Sequence, residues 1–206
     1  MLAPVTAESW NQRYRDPNYL FGYRPNDFLK QSATMLGASS RVLCLGDGEA
    51  RNGVWLASRG HRVTSLDFSE VAQAKGRQLA QEKGVEVDFQ LRDLADWAED
   101  PDPEQQWDAV VWIFCHLPSA LRSAVCRAVT RRARPGAALV YEAYTPAQPS
   151  LGTGGPSDRD LLMTRDDVLA DWRGWTLDVR LVERRIFEGM AHQGLSSVAQ
   201  ALGKRN

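Results

Sequence analysis

Much that would assign this chain to a secreted, metal-bound or nucleic-acid-bound class is missing from it. It holds three cysteines, Cys44, Cys115 and Cys126, an odd number scattered through apolar segments, which argues against a disulfide framework. No C-x-x-C or H-x-x-x-H spacing offers ligands to a metal. The apolar runs are strand-sized, and M-L-A-P-V-T-A-E lacks a basic region followed by an apolar core, so neither a signal peptide nor a membrane span is expected and the default location is cytoplasmic. Charge of one sign is missing too. With 25 basic against 26 acidic residues and a net charge of -1, nothing draws the chain as a whole to phosphate backbones or anionic lipid. The one basic cluster, Arg131, Arg132 and Arg134, falls at an expected helix C-terminus, where positive charge is favoured anyway. A small-molecule partner is expected, with no nucleic acid and no membrane, for a monomer or homodimer.

A length of 206 residues has room for one well-cored α/β domain with small additions. The informative stretch is Arg41 to Asn52, R-V-L-C-L-G-D-G-E-A-R-N. A short apolar strand runs into a glycine turn, where Gly46 and Gly48 allow a sharp bend and close approach of a ligand. About twenty residues on, Asp67 ends a second strand, V-T-S-L-D, where a carboxylate can accept both hydroxyl protons of a ribose. The alternative for Asp67 is a buried strand-end acid capping the next helix. Strand then alternates with helix to about Tyr144, which predicts a parallel sheet covered on both faces.

The expected elements are a helix from Arg51, strand 62–67, a helix from the N-cap Ser69 to the C-cap Gly84, strand 85–91, strand 109–114, a helix from Pro118 and strand 138–144. Residues 98–106, rich in Asp, Glu and Pro, read as a surface excursion, and R-P-G at 134–136 as a turn. Residues 145–157 read as a long loop, a substrate gate or a plain connector. A helix at 165–171 and two antiparallel strands, 176–187 and 195–202, follow, joined by the turn E-G-M-A-H-Q-G. In front of the core lie a helix at 26–36 and an aromatic segment carrying Trp10, Tyr14, Tyr19, Phe21 and Tyr23, either a lid or cover for the sheet edge. The chain is thus divided as a lid segment and helix (1–40), a cofactor-binding core (41–144) and a substrate loop, helix and hairpin (145–206) within one domain 1–206.

Dinucleotide sites want a third glycine three residues after the second, where this chain has Arg51. Gly46-x-Gly48-x-Ala50 instead resembles the small-residue turn of class I methyltransferases, whose cofactor S-adenosylmethionine has no pyrophosphate. A closer resemblance covers nearly the whole chain. Through W-N-Q-R-Y, Y-L-F-G-Y-R-P-N-D-F-L, G-D-G-E-A-R-N, W-I-F-C-H-L-P, G-T-G-G-P with D-L-L-M-T, and E-G-M-A-H-Q-G, it is similar to the TehB-like, thiopurine-methyltransferase-related group. That resemblance implies a Rossmann-like seven-stranded sheet in the order 3-2-1-4-5-7-6 with strand 7 antiparallel. It implies methyl transfer to a small soft nucleophile, a thiol or a tellurium or selenium species, with S-adenosylhomocysteine as product. N- or O-methylation of a metabolite, or cofactor binding without turnover, are the alternatives.

The residues expected at the cofactor are Gly46, Asp47 and Gly48 of the turn, Asp67 with Phe68, and Asp93 with Leu94 after strand 3, where such enzymes place a carboxylate for the adenine amine. Arg51 and Asn52, with Arg13 a weaker candidate, are expected to meet the cofactor's carboxylate. Phe114 and Cys115 are taken as backbone contacts and Tyr19 as part of the aromatic cover. His192, matching a histidine of the family, is expected to deprotonate the acceptor, an ordinary imidazole titrating near neutrality. His116 is expected to face substrate. Two positions depart from the family: Cys44 stands where an acid is usual, and Gln193 where an arginine follows the histidine.

Overall fold

The computed structural model describes residues 6–100 and 106–206. Period-two sorting of side chains builds its centre. Along β1 (Arg41–Leu45) and β4 (Trp107–Ile113), Leu43, Leu45, Val110 and Trp112 enter one core, and Val42, Cys44, Ala109, Val111 and Ile113 enter the other. Both faces are apolar, as the continuous hydrophobic runs require. One core is closed by Trp97, Val125, Val129 and Trp172, the other by Leu29, Leu36 and Leu56.

With β2 (Arg62–Asp67), β3 (Asp88–Leu91), β5 (Ala133–Tyr144), β6 (Trp175–Glu188) and β7 (His192–Arg205), the strands form one sheet in the order β3-β2-β1-β4-β5-β7-β6. Strand β7 runs antiparallel to β5 and β6, and the other pairs are parallel. This is the expected architecture. The helices are α1 (Ala7–Tyr14), α2 (Asp27–Ser32), α3 (Arg51–Ser58), α4 (Glu70–Lys83), α5 (Leu94–Glu99), α6 (Ser119–Arg132) and α7 (Arg165–Asp171). Ser69 caps α4 by accepting from the Ala72 amide, and Gly84 ends it in the left-handed conformation, both as expected.

Several boundaries differ from the sequence reading for local reasons. The Val85 amide still bonds back to Ala80, so β3 starts at Asp88 rather than at residue 85. Asp93 caps α5, which runs to Glu99 and buries Ala98 where a surface excursion was expected to begin; residues 101–105 of that excursion lie outside the described residues. Residues 134–136 belong to β5, whose pairing with β4 shifts register between Trp107 and Ala109, instead of forming a turn before it. The aromatic segment contains the helix α1, fixed by a capping box between Thr6 and Ser9. Strands β6 and β7 pair from Glu188↔His192 to Trp175↔Arg205, so the hairpin turn shrinks to 189–191 and His192 is a strand residue.

Candidate cofactor and acceptor site

Gly46, Asp67 and Phe114 stand at the carboxyl ends of β1, β2 and β4, the edge where open parallel sheets bind ligands. A cavity of about 760 Å³ opens there. Gly46 and Gly48 both have φ of 56°. A Cβ on Gly46 would stand 2.7 Å from the Cys115 Cβ, and one on Gly48 would stand 2.7 Å from the Tyr14 hydroxyl, so only glycine leaves the turn open. Ala50 is left-handed as well, at φ 59°, a conformation that costs an L-residue roughly 1–2 kcal/mol. Its methyl packs with Val54, Leu79 and Ala80.

Asp67 receives the Gly48 amide on Oδ2 and the Ser69 amide on Oδ1, both at 2.8 Å. Each oxygen keeps a second lone pair, which is what two ribose hydroxyls need. Burial pushes its pKa up, opposed by the amides it accepts. Phe68 lines the cavity beside it, as do Asp93 and Leu94, with Asp93 accepting the Ala95 amide through Oδ1. The glycine cradle and the acceptor oxygens of Asp67 fit an adenosine cofactor.

Asp47, Arg51 and Asn52 line the cavity as expected but also make bonds away from it. Asp47 turns its carboxylate inward, where Oδ2 accepts from Ser65 Oγ at 2.9 Å and from the Gly53 amide at 3.2 Å; burial raises its pKa to about 7. Its side chain braces the turn. Arg51 reaches the cavity wall, but its guanidinium donates to Glu188 at 2.5 Å and to the Arg24 carbonyl at 3.3 Å. Those two bonds use part of its donor set, and the rest stays at the cavity wall. Asn52 also lines the cavity while its Oδ1 accepts the Asn26 amide. Tyr19 and Arg13 lie outside the lining: Tyr19 packs beside Val54 and Leu79, and exposed Arg13 lies over the Trp10 ring at 4.2 Å. Cys44 is buried with Val42 and Val111, away from the cavity.

The far end of the cavity is aromatic. Phe114, left-handed at φ 53°, brings its ring within 4.7 Å of Tyr144 and 4.8 Å of His192, while Phe21 covers His192 at 4.5 Å. Strain of this kind concentrates at functional sites. His116 stacks on Tyr144 at 5.4 Å and 7°, with Nδ1 at 3.1 Å from the Leu161 carbonyl. A carbonyl only accepts, so Nδ1 carries the proton. Burial lowers His116 to about 4, and burial with the nearby Arg51 charge lowers His192 to about 3. Both imidazoles are neutral near pH 7, so His192 is a weaker base than the ordinary imidazole expected. Cys115 packs its thiol against Gly46, its carbonyl accepts the Trp112 indole at 2.7 Å, and burial pushes the thiol pKa up. Gly155, Pro156 and Ser157 of the long loop line this end, whereas Gln193 is exposed and donates to the Gly189 carbonyl.

A buried polar hub that sequence reasoning missed holds the site's roof. Arg184 grips both oxygens of Glu142 at 2.9 and 2.8 Å, and the Asn26 amide bonds Glu142 at 2.7 Å and Glu188 at 3.1 Å. Arg51 completes the hub through Glu188. Asn26 and Glu188 sit inside the motifs Y-R-P-N-D and E-G-M-A-H, so a signal existed, but nothing in either motif says that the two meet. A second anchor is Lys75 of α4, paired with Glu49 and donating to the carbonyls of Asp16 at 2.9 Å and Asn18 at 2.6 Å.

Residues 42–136 match the family described as a methyltransferase domain. The ubiquinone biosynthesis O-methyltransferase of Marinobacter nauticus is 30% identical over 101 residues, or 48% of this chain and 42% of that protein. The chain therefore spans less than half the length of that relative. In fold it is similar to TehB from Haemophilus influenzae, with a TM-score of 0.69 at 16% identity over 87% of this chain and 62% of the other. It is also similar to the protein whose structure concerns conversion of a disulfide bond into a thioacetal group during echinomycin biosynthesis, with a TM-score of 0.79 at 19% identity over 98% and 93%. Residues 42–136, a little under half of the chain, thus match a methyltransferase-domain family, and the seven-stranded sheet that contains them is the fold the chain shares with these structures.

Proposed function

We propose that the chain transfers a methyl group from S-adenosylmethionine to a small soft nucleophile, with a thiol as the acceptor that fits best and tellurium or selenium species in the same class. One observation carries this reading: a single cavity runs from the Gly46–Gly48 turn, Asp67 and Asp93 to the aromatic end at His116 and His192. Donor and acceptor can meet there without crossing solvent.

When bound, the cofactor supplies a methyl group already activated on a sulfonium. The protein's task is alignment, which contributes on the order of 7–11 kcal/mol when the geometry is held. In this reading Asp67 accepts the ribose hydroxyls, Asp93 the adenine amine, and Phe68 and Leu94 flank the base. Trp10, Tyr14 and Phe21 exclude water and present ring faces to positive charge. The apolar acceptor end favours an uncharged, polarisable nucleophile, and the position after His192 is the glutamine Gln193 rather than a cation for an oxyanion. His192 and His116 then take up the proton that the acceptor loses once methylated, when it is acidic enough for a weak base. Residues 1–206 act in this reading as one cytoplasmic domain on a small molecule, as monomer or homodimer.

The test is a panel of thiols, selenols, phenols and amines with methyl-labelled cofactor and mass detection of product. Methylated thiols are expected first. No S-adenosylhomocysteine binding up to millimolar concentration would sink the reading. O-methylation is the second reading, favoured by the 30% identity to an O-methyltransferase over the matched segment; methyl ethers without thioethers in the same panel select it.

A further inference from the structure

Helix α1 buries only two residues, Asn11 and Tyr14, and both bring polar ends to the glycine turn and its acid. Three positions apart, they share one face. A short surface helix ordinarily buries an apolar stripe against the core. Here Asn11 Oδ1 accepts from Ser69 Oγ at 2.6 Å, and the Ser69 amide donates to Asp67. The Tyr14 hydroxyl lies where a Cβ on Gly48 would intrude, and the Gly48 amide donates to the other oxygen of Asp67. The helix thus closes on both flanks of the acid assigned to the ribose.

Asn11 has its partner; Tyr14 does not. Its residue is 5% exposed and lines the cavity, yet its hydroxyl makes no hydrogen bond among the described residues. The hydroxyl is open to the cavity and has its proton to give there. We propose that the Tyr14 hydroxyl donates to the carboxylate at the amino-acid end of the cofactor, so that α1 reads this end of the ligand; the inference rests on the cofactor site proposed above. Burial, with Asp67 and Glu49 nearby, keeps the phenol protonated and therefore a donor. Asp67 is positioned for the ribose, which leaves the carboxylate as the ligand's strongest acceptor. Arg51, the cation otherwise suited to it, already has its charge paired with Glu188 and gives a second bond to the Arg24 carbonyl. The Tyr14 ring stacks on Trp10 at 5.4 Å and meets Phe21 edge-on at 6.3 Å, which links this contact to the roof over His192.

Calorimetry on the full chain tests the assignment, with S-adenosylhomocysteine and 5′-methylthioadenosine as probes; the second keeps adenosine and thioether but lacks the amino-acid end. The wild type should prefer the first. Tyr14→Phe should weaken S-adenosylhomocysteine about tenfold, the scale of a lost hydrogen bond to a charged group, and leave methylthioadenosine unchanged. Asn11→Ala, which loosens the helix, should weaken both alike. An unchanged S-adenosylhomocysteine affinity in Tyr14→Phe, or equal loss for both probes, overturns the proposal while the cofactor site stands. Wild-type protein that binds neither probe overturns the cofactor site and this inference together.

Discussion

Arg51 closes on Glu188 at 2.5 Å, with 8% and 5% of their side chains exposed. An ion pair so buried is worth little against an apolar pair of the same shape, but losing one partner leaves a charge stranded, at a cost of about 3–5 kcal/mol. Glu188→Ala should therefore lower the melting temperature sharply. Arg51→Met should also destabilise the fold, yet change S-adenosylhomocysteine affinity less than about threefold, under 1 kcal/mol. Collapse of affinity with unchanged stability would return Arg51 to the cofactor, where the sequence first suggested it.

Asp67 holds the Gly48 and Ser69 amides while facing the cavity. Asp67→Ala should weaken S-adenosylhomocysteine by at least about tenfold, measured at a temperature where the variant is still folded. Undiminished binding would place the ribose elsewhere.

Asp47 gives a stability signature. Its pKa, raised by burial to about 7, lies above that of a carboxylate in the unfolded chain, so its contribution is full below about pH 4 and is lost as pH rises through about 7. One oxygen accepts both of its bonds, which an amide oxygen can also do. Asp47→Asn should therefore match the wild type near pH 4 and exceed it in melting temperature at pH 8. An equal offset at both pH values contradicts the assignment.

His192 is held neutral, its pKa lowered to about 3. Turnover should consequently show no inflection from this group between pH 6 and 8. His192→Gln should lower the rate and spare cofactor affinity. If the rate follows a single ionisation near 6.5 that disappears in His192→Gln, the imidazole is an ordinary base.

Gly189 meets the Gly22 amide and the Leu20 carbonyl so closely that a Cβ there would stand 2.4 Å from both. Gly189→Ala should push the two segments apart and raise KM for the acceptor, with cofactor affinity changing less. Limited proteolysis at the exposed Arg13 and Arg15 should report the loosening.

The sheet order followed from the resemblance, and strand-helix alternation alone called for a parallel sheet, because each strand of the core reads apolar on its own. Gly46, Gly48 and Asp67 were legible from local backbone requirements and spacing and Asp93 from the resemblance, and all four line one cavity. The contacts of Arg51 were not, since Glu188 lies 137 residues away and no local pattern pairs them. The strand position of His192 was hidden similarly: glycines on both sides suggested a wider turn, whereas the pairing with Glu188 is set by the length of β6 and β7. Tyr14 read as an aromatic cover because a sequence shows its ring but not the glycine under its hydroxyl.

The meeting of residues 20–22 with 189–191, sealed by the Met190 and Ala191 amides on the Leu20 carbonyl, has a consequence for how the chain is made. An emerging polypeptide can assemble β1 to β5, with its glycine turn and acids, long before β7 exists. The cover of the acceptor end must wait for the final hairpin. During synthesis the sheet edge with the glycine turn and Asp67 is therefore made first and open to solvent, and the cavity gains its cover at Phe21 and His192 only with the last strand.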